Sequence, residues 1–197
     1  MQLAKRLAAA MLFILSCITA PASYGVELVL TARAATRAFS DASFKRDGKY
    51  DLIQPSKCNY TYLELPEVGF ANDRVTIRLH LSARAGQEIS GQCVGAGEAF
   101  WLTISGTPYV DGTVVGVKNA HIVQIDNPSY RVLLEAALQG LVNGLRHDVG
   151  AAMRAAFAKD VNHYRLTVSN LAITNLRARD NLVRATIDFE LAGDATQ

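Results

Sequence analysis

From Pro128 to Lys159 the apolar residues fall at three- and four-residue spacing. Leu134, Leu138, Leu141, Leu145, Val149, Ala152 and Ala156 form the stripe, and Leu133, Ala137, Val142, Met153 and Phe157 widen it. Glu135, Gln139, Asn143, Arg146, Gly150 and Arg154 mark the opposite face, so the pattern predicts one long amphipathic helix. Asp126 or Asn127 can accept hydrogen bonds from the first free amides, and Pro128 suits the first helical position. Unbroken, this helix would be about 45 Å long. A second, N-terminal helix is predicted over 26–40, where Val26, Leu28, Val29, Ala32, Ala35 and Phe39 oppose Arg33 and Arg37.

The rest of the chain alternates. Cys58 to Leu65 reads as a strand that Pro66 ends or places at an edge. After a turn at Ala71-Asn72-Asp73, the residues Val75, Ile77, Leu79, Leu81 and Ala83 alternate with polar ones in the cleanest half-buried strand. Ala85 to Gly97, with four glycines, reads as a loop. Phe100, Leu102 and Ile104 share one face of the next strand, which Gly106-Thr107-Pro108 should break. Two short strands around Gly112 and Gly116 follow. Beyond the long helix, Tyr164–Val168 and Leu171–Leu176 alternate with a phase slip at Ser169-Asn170 that predicts a bulge. Arg179-Asp180-Asn181 turns the chain into a last strand carrying Val183, Ala185, Ile187, Phe189 and Leu191 on one face. The expected fold class is α+β: a strongly curved antiparallel sheet wrapped around one long helix in the C-terminal half, with a short helix at the N-terminus.

The first residues belong to another category. Lys5 and Arg6 precede a short apolar core, Leu7 to Leu15, and Ala20-Pro21-Ala22 is a small-x-small cleavage pattern. Residues 1–22 are read as a signal peptide and 23–197 as a single domain. The alternative reading of Ile14-Leu15-Ser16-Cys17 is an imperfect lipobox, with lipidation at Cys17 and a membrane-anchored lipoprotein as the product. Either way the chain is expected to be exported and periplasmic. No later stretch approaches a membrane-spanning length.

Composition removes some functions. The formal charge is +2, and Lys5 and Arg6 account for it, so a nucleic-acid binder is not expected. Cys58 and Cys93, an even pair in an exported chain, read as a disulfide rather than a metal or catalytic pair, because zinc-ligand spacing is lacking. Gly95-Ala96-Gly97 lacks the third glycine of a dinucleotide fingerprint, and neither a Walker sequence nor a nucleophile elbow occurs. His80, His121, His147 and His163 are scattered. His147-Asp148 falls on the polar helix face. Asn59-Tyr60-Thr61 is a formal glycosylation acceptor, read as chance in a bacterial-type exported chain. No catalytic residue, metal site or cofactor is expected. Arg177, Arg179 and Arg184 cluster near the last turn, where they serve either as a solvated turn or as a contact for anionic headgroups at a membrane surface.

Taken in order, several segments resemble the bacterial lipoproteins typified by YceB, small relatives of the tubular lipid-binding superfamily. The resemblance runs from a Thr31-centred helix through Leu65-Pro66-Glu67-Val68 and the Val75–Ala83 strand. It continues through Ser105-Gly106-Thr107-Pro108-Tyr109, Asn119-Ala120-His121-Ile122-Val123 and Asn127-Pro128, to the hairpin around Asp180. It implies a sheet wrapped on a long helix with a groove for lipid-like molecules. The groove residues expected from the apolar faces are Ile77, Leu79, Leu81, Leu102, Ile104, Leu138, Leu141, Leu145, Ile187 and Phe189. The functional expectation is a non-enzymatic envelope protein carrying a lipid or other hydrophobic ligand. The alternative is an envelope structural or adaptor protein with a filled core.

Overall fold

The structure is a computed structural model that describes residues 22–143, 145–158 and 164–195. The leader, Cys17, Gly144, Lys159 and His163 lie outside the described residues. The elements are β1 (Ala22–Thr31), α1 (Ala32–Ser43), β2 (Lys49–Asp51), β3 (Tyr60–Ala71), β4 (Arg74–Ile89), β5 (Gln92–Asp111) and β6 (Val114–Ile125). A 3-10 turn (Pro128–Tyr130) then leads into α2 (Arg131–Asn143), β7 (His147–Asp148), α3 (Val149–Phe157), β8 (Tyr164–Arg179) and β9 (Leu182–Ala195). They form a strongly curled six-stranded antiparallel sheet in the order β2-β3-β4-β5-β6-β7 and a three-stranded sheet in the order β1-β9-β8.

The expected single long helix is two short ones. α2 stops at Asn143, and His147–Asp148 pairs with Val115 and Val114 of β6. The Asp148 carboxylate then accepts from the Ala151 amide at 2.9 Å and the Thr113 hydroxyl at 2.8 Å, and so caps α3. Val149 N–H donates to the Thr113 carbonyl at 3.1 Å. Gly150 is buried here, and a Cβ on it would lie 2.6 Å from that of Thr113. Both helices bury one face, but the face shifts at the break: α3 turns Val149, Gly150, Met153 and Phe157 inward, while Ala152 and Ala156 of the expected stripe are exposed, as is Leu133 on α2. The capping residue and the Thr113 clip decide where the axis changes. His147 accordingly lies on a short exposed strand, not on a helix.

The N-terminal helix begins at Ala32, six residues later than the periodicity suggests. Thr31 caps it by accepting from the Ala34 amide. Val26–Thr31 is strand instead, held over its whole length by β9. A spacing of Val26, Leu28, Leu30 fits period two as well as it fits a helix face, and β-branched residues favour the strand.

The glycine-rich stretch 85–97 is not a loop either. β4 and β5 run on as a hairpin arm that turns only at Ser90-Gly91. Gly86 and Gly95 face each other, and a Cβ on Gly95 would sit 2.2 Å from the Ala85 carbonyl oxygen, so these glycines permit close strand approach. Gly106-Thr107-Pro108 lies within β5 as a bulge rather than ending the strand, and Leu65-Pro66 likewise bulges β3, with Leu65 at φ +53°. These bulges bend the long strands, and the sheet curls. Several expectations hold. The strand over Val75–Ala83, the turns at Asn72-Asp73 and Asp180-Asn181, and the bulge after Ser169 are all present. Cys58 and Cys93 form a disulfide that ties the 52–59 segment to the arm.

The principal core fills the curl. Phe39 from α1, Leu63, Phe70, Ile77, Leu79, Leu81, Leu102 and Ile104 from the sheet, and Leu134, Leu138 and Leu141 from α2 are all buried together. A second cluster lies between the three-stranded sheet and α3.

Two outcomes follow from this architecture. Replacing both cysteines by serine should lower stability by roughly 4 kcal/mol, measured by urea unfolding of oxidised wild type and variant, because the bridge shortens the free loop of the unfolded chain. The Asp148 carboxyl is held below the usual carboxylate range, first by the Ala151 amide and then by the Thr113 hydroxyl. A depressed folded pKa stabilises the protein above the unfolded carboxyl value and loses that contribution as pH falls through the folded one. Asp148→Ala should therefore lower the melting temperature at neutral pH and flatten its fall below about pH 4. Equal acid sensitivity in both proteins would contradict this.

Candidate functional site

The second cluster is built from one face of each of three elements. On β9, Ala185, Ile187 and Phe189 point the same way at period two and are buried. β8 contributes Val168 and Ile173, where Ile173 pairs directly with Ile187. α3 lays Val149, Met153 and Phe157, at four-residue spacing, over this sheet. The Phe157 and Phe189 ring centroids are 6.2 Å apart. Val110 and Val115 of the β5–β6 hairpin close one side.

The apolar face does not stop where α3 does. β1 pairs with β9 without a register shift, so Val26 stands opposite Ile187, Leu28 opposite Ala185 and Leu30 opposite Val183. Residues opposite one another in an antiparallel pair share a face. Val26, Leu28 and Leu30 therefore extend the floor of the cluster, yet they are 48, 43 and 36% exposed. α3 packs on β8, at the far side of the sheet. The result is a partly exposed apolar surface, termed the trough: buried Ile187 and Phe189 at its middle, half-buried Met153 and Phe157 to one side, and the exposed inner residues of β1 to the other.

The ten expected groove residues separate into two groups. Ile77, Leu79, Leu81, Leu102, Ile104, Leu138 and Leu141 lie in the principal core, none more than 4% exposed, with Leu145 half-buried against them. Side chains of sheet and helix close over one another there. Ile187 and Phe189 lie instead in the second cluster, where at 4 and 7% exposed they are buried as well. Val26, Leu28 and Leu30 were missed as groove residues because their strand was read as helix, although their period-two alternation was visible. Met153 and Phe157 were read on the apolar helix stripe without being assigned to a groove.

The polar side chains form a different arrangement. On the outer face of the curled sheet, His80 Nδ1 lies 3.0 Å from Glu64 Oε1, and the Ser82 hydroxyl donates to that same oxygen at 3.1 Å. Serine and histidine thus both lean on the carboxylate, and this is not the relay in which a histidine takes a serine proton. Trp101 is flanked by His80 and by the Arg78 guanidinium, 3.9 Å from its ring centroid. Arg179 meets Asp73 at 2.9 Å and Arg184 meets Glu27 at 2.9 Å, so two of the three clustered arginines are already paired. Among the described residues no group of three histidine, cysteine or carboxylate side chains could hold a metal ion, and no helix is long and apolar enough to cross a membrane.

Compared with known proteins, the chain matches no protein-family model and no curated protein.

Core and trough should respond differently to truncation. Leu79→Ala should cost about 2–5 kcal/mol, as a large-to-small change in a close-packed core does. Val26→Ala should stay within about 0.5 kcal/mol, as at other exposed positions. Chemical unfolding of both variants measures the contrast, and similar losses would mean that β1 is covered.

Proposed function

We propose that this is a non-enzymatic cell-envelope protein that holds a lipid or another elongated hydrophobic molecule in the trough between α3 and the β1-β9-β8 sheet. The observation that carries this reading is the bare inner face of β1, in register with the buried Ile187 and Ala185. Apolar side chains on a covered sheet face normally lose their contact with water. Here three in a row keep more than a third of theirs. An acyl chain laid along them would gain about 0.8 kcal/mol for each methylene removed from water, with no polar chemistry required. Kinship with the tubular lipid-binding superfamily is part of the same proposal. The curled sheet with helices over its apolar face supports it, and α2 and α3 together take the place of one long helix. A periplasmic location, soluble or lipid-anchored, fits a chain with a disulfide.

The test is native mass spectrometry of gently purified protein together with titration of a fluorescent fatty acid. Wild type should carry or take up the probe. Met153→Glu, which sets a carboxylate against the acyl chain, should weaken uptake by about tenfold or more, a cost of at least 1.4 kcal/mol. A clean unliganded mass with no uptake of the probe rules the reading out.

A second reading draws on the principal core, where Leu63, Leu79, Leu81 and Leu102 are wholly buried. A filled core suits an envelope adaptor that works through its surface. A specific protein partner retained in pull-downs, with no lipid extracted, favours it.

A further inference from the structure

A sheet edge presents unpaired N–H and C=O groups, and stable proteins blunt such edges by shortening, bulging or covering them. Three of the four edges here follow that rule. β2 is three residues long and β7 two. β8 carries two bulges, at Ser169/Ala172 and Thr174/Arg177, and α3 packs on it. β1 does none of this. It is ten residues long, pairs with β9 at ten consecutive positions without a shift, and contains neither proline nor lysine. Among the described residues no strand pairs with its other side. Its outer face adds Val29, 45% exposed, to the apolar inner residues.

We propose that β1 pairs antiparallel with the β1 of a second copy of this chain, making one six-stranded sheet across a two-fold axis. An isologous interface needs a strand that complements itself. β1 does so when Leu28 faces Leu28 of the second copy. Val26 then faces Leu30, so the inner apolar row meets its own counterpart. Glu27 faces Val29 instead of the other Glu27, so no like charges stand opposite each other. Glu27 is moreover neutralised within its own chain by Arg184, at 2.9 Å. Charge and hydropathy are both compatible with this register. A lipid in the trough is not required for this pairing.

Sedimentation velocity over a concentration series should show a monomer–dimer equilibrium. Val29→Glu tests the register. On its own sheet the introduced carboxylate would stand opposite Arg184, so the fold is retained. Across the two-fold it would face Glu27 twice, and the dimer should weaken by about tenfold or more. Leu28→Cys should form an intermolecular disulfide on mild oxidation, while Glu27→Cys, whose partner lies beyond about 7 Å in this register, should not. A monomer at every concentration overturns the proposal and leaves the edge to an extended segment of another protein. A dimer indifferent to Val29→Glu and unlinked by Leu28→Cys overturns it equally. Fatty-acid uptake separates the two readings. In the wild type, a monomer that takes up the probe sinks only the pairing, and a dimer without uptake sinks only the trough, while Val29→Glu should take up the probe as a monomer.

Discussion

The two sheets are joined at their hairpin tips, and the position of everything else depends on that joint. The β3–β4 turn and the β8–β9 turn exchange backbone hydrogen bonds: Asn181 N–H to the Phe70 carbonyl at 2.9 Å, and Asp73 N–H to the Ala178 carbonyl at 2.8 Å. The Asp73 carboxylate also takes the Ala178 amide and two Arg179 nitrogens, which hold its carboxyl below the usual range, Arg179 foremost. Ala32 N–H donates to the Asn181 carbonyl, so the start of α1 is fixed to the same point. Turn residues with positive φ, Asn72, Asp73, Asp180 and Asn181, make both tips tight enough to interlock. Arg179 is therefore a structural arginine, and a contact with anionic headgroups would have to come from its neighbours.

From that joint the molecule runs out into two differently filled halves. Near it, Ala178 and the two helices α1 and α2 close the curl of the large sheet, and large side chains such as Leu63, Leu79, Leu81 and Leu102 are wholly buried. Farther out, α3 is nine residues long and cannot cover three strands. It is held over β8 by the Asp148–Thr113 clip, and β1 is left bare. A single straight helix would have continued the packed core along its length. The break at Asn143 to Asp148 separates the principal core from a second, smaller cluster beside which β1 stays exposed.

The same strand, β1, is both a wall of the trough and an unprotected edge. The two properties have one origin: a regular, largely apolar strand whose single charge, Glu27, is paired with Arg184 offers side chains on its face and backbone on its edge. Evolution commonly uses a lysine, a proline or a bulge to silence such an edge, and none occurs between Ala22 and Thr31.

What the sequence by itself determined is local. Period-two alternation marked the strands through Val75–Ala83 and Val183–Leu191. Paired turn residues marked their hairpins, and the even cysteine pair marked its bridge. These signals rest on interactions within a few residues or on chemistry that distance does not alter. Tertiary structure decided the rest. The β1 segment satisfies helical and strand periodicity alike, and only the presence of β9 makes it a strand. The glycines at 86 and 95 look like flexibility until the opposing backbone is in place. Asp148 is polar on any reading, and it becomes a helix cap because Thr113, thirty-five positions away, sits beside it. Burial of apolar stripes is a collective property. Leu79 and Ile187 carry the same alternation in sequence and both are buried, and only the reach of α2 and the shortness of α3 decide that the strands beside Leu79 are covered while Val26 and Leu28, beside Ile187, are left exposed.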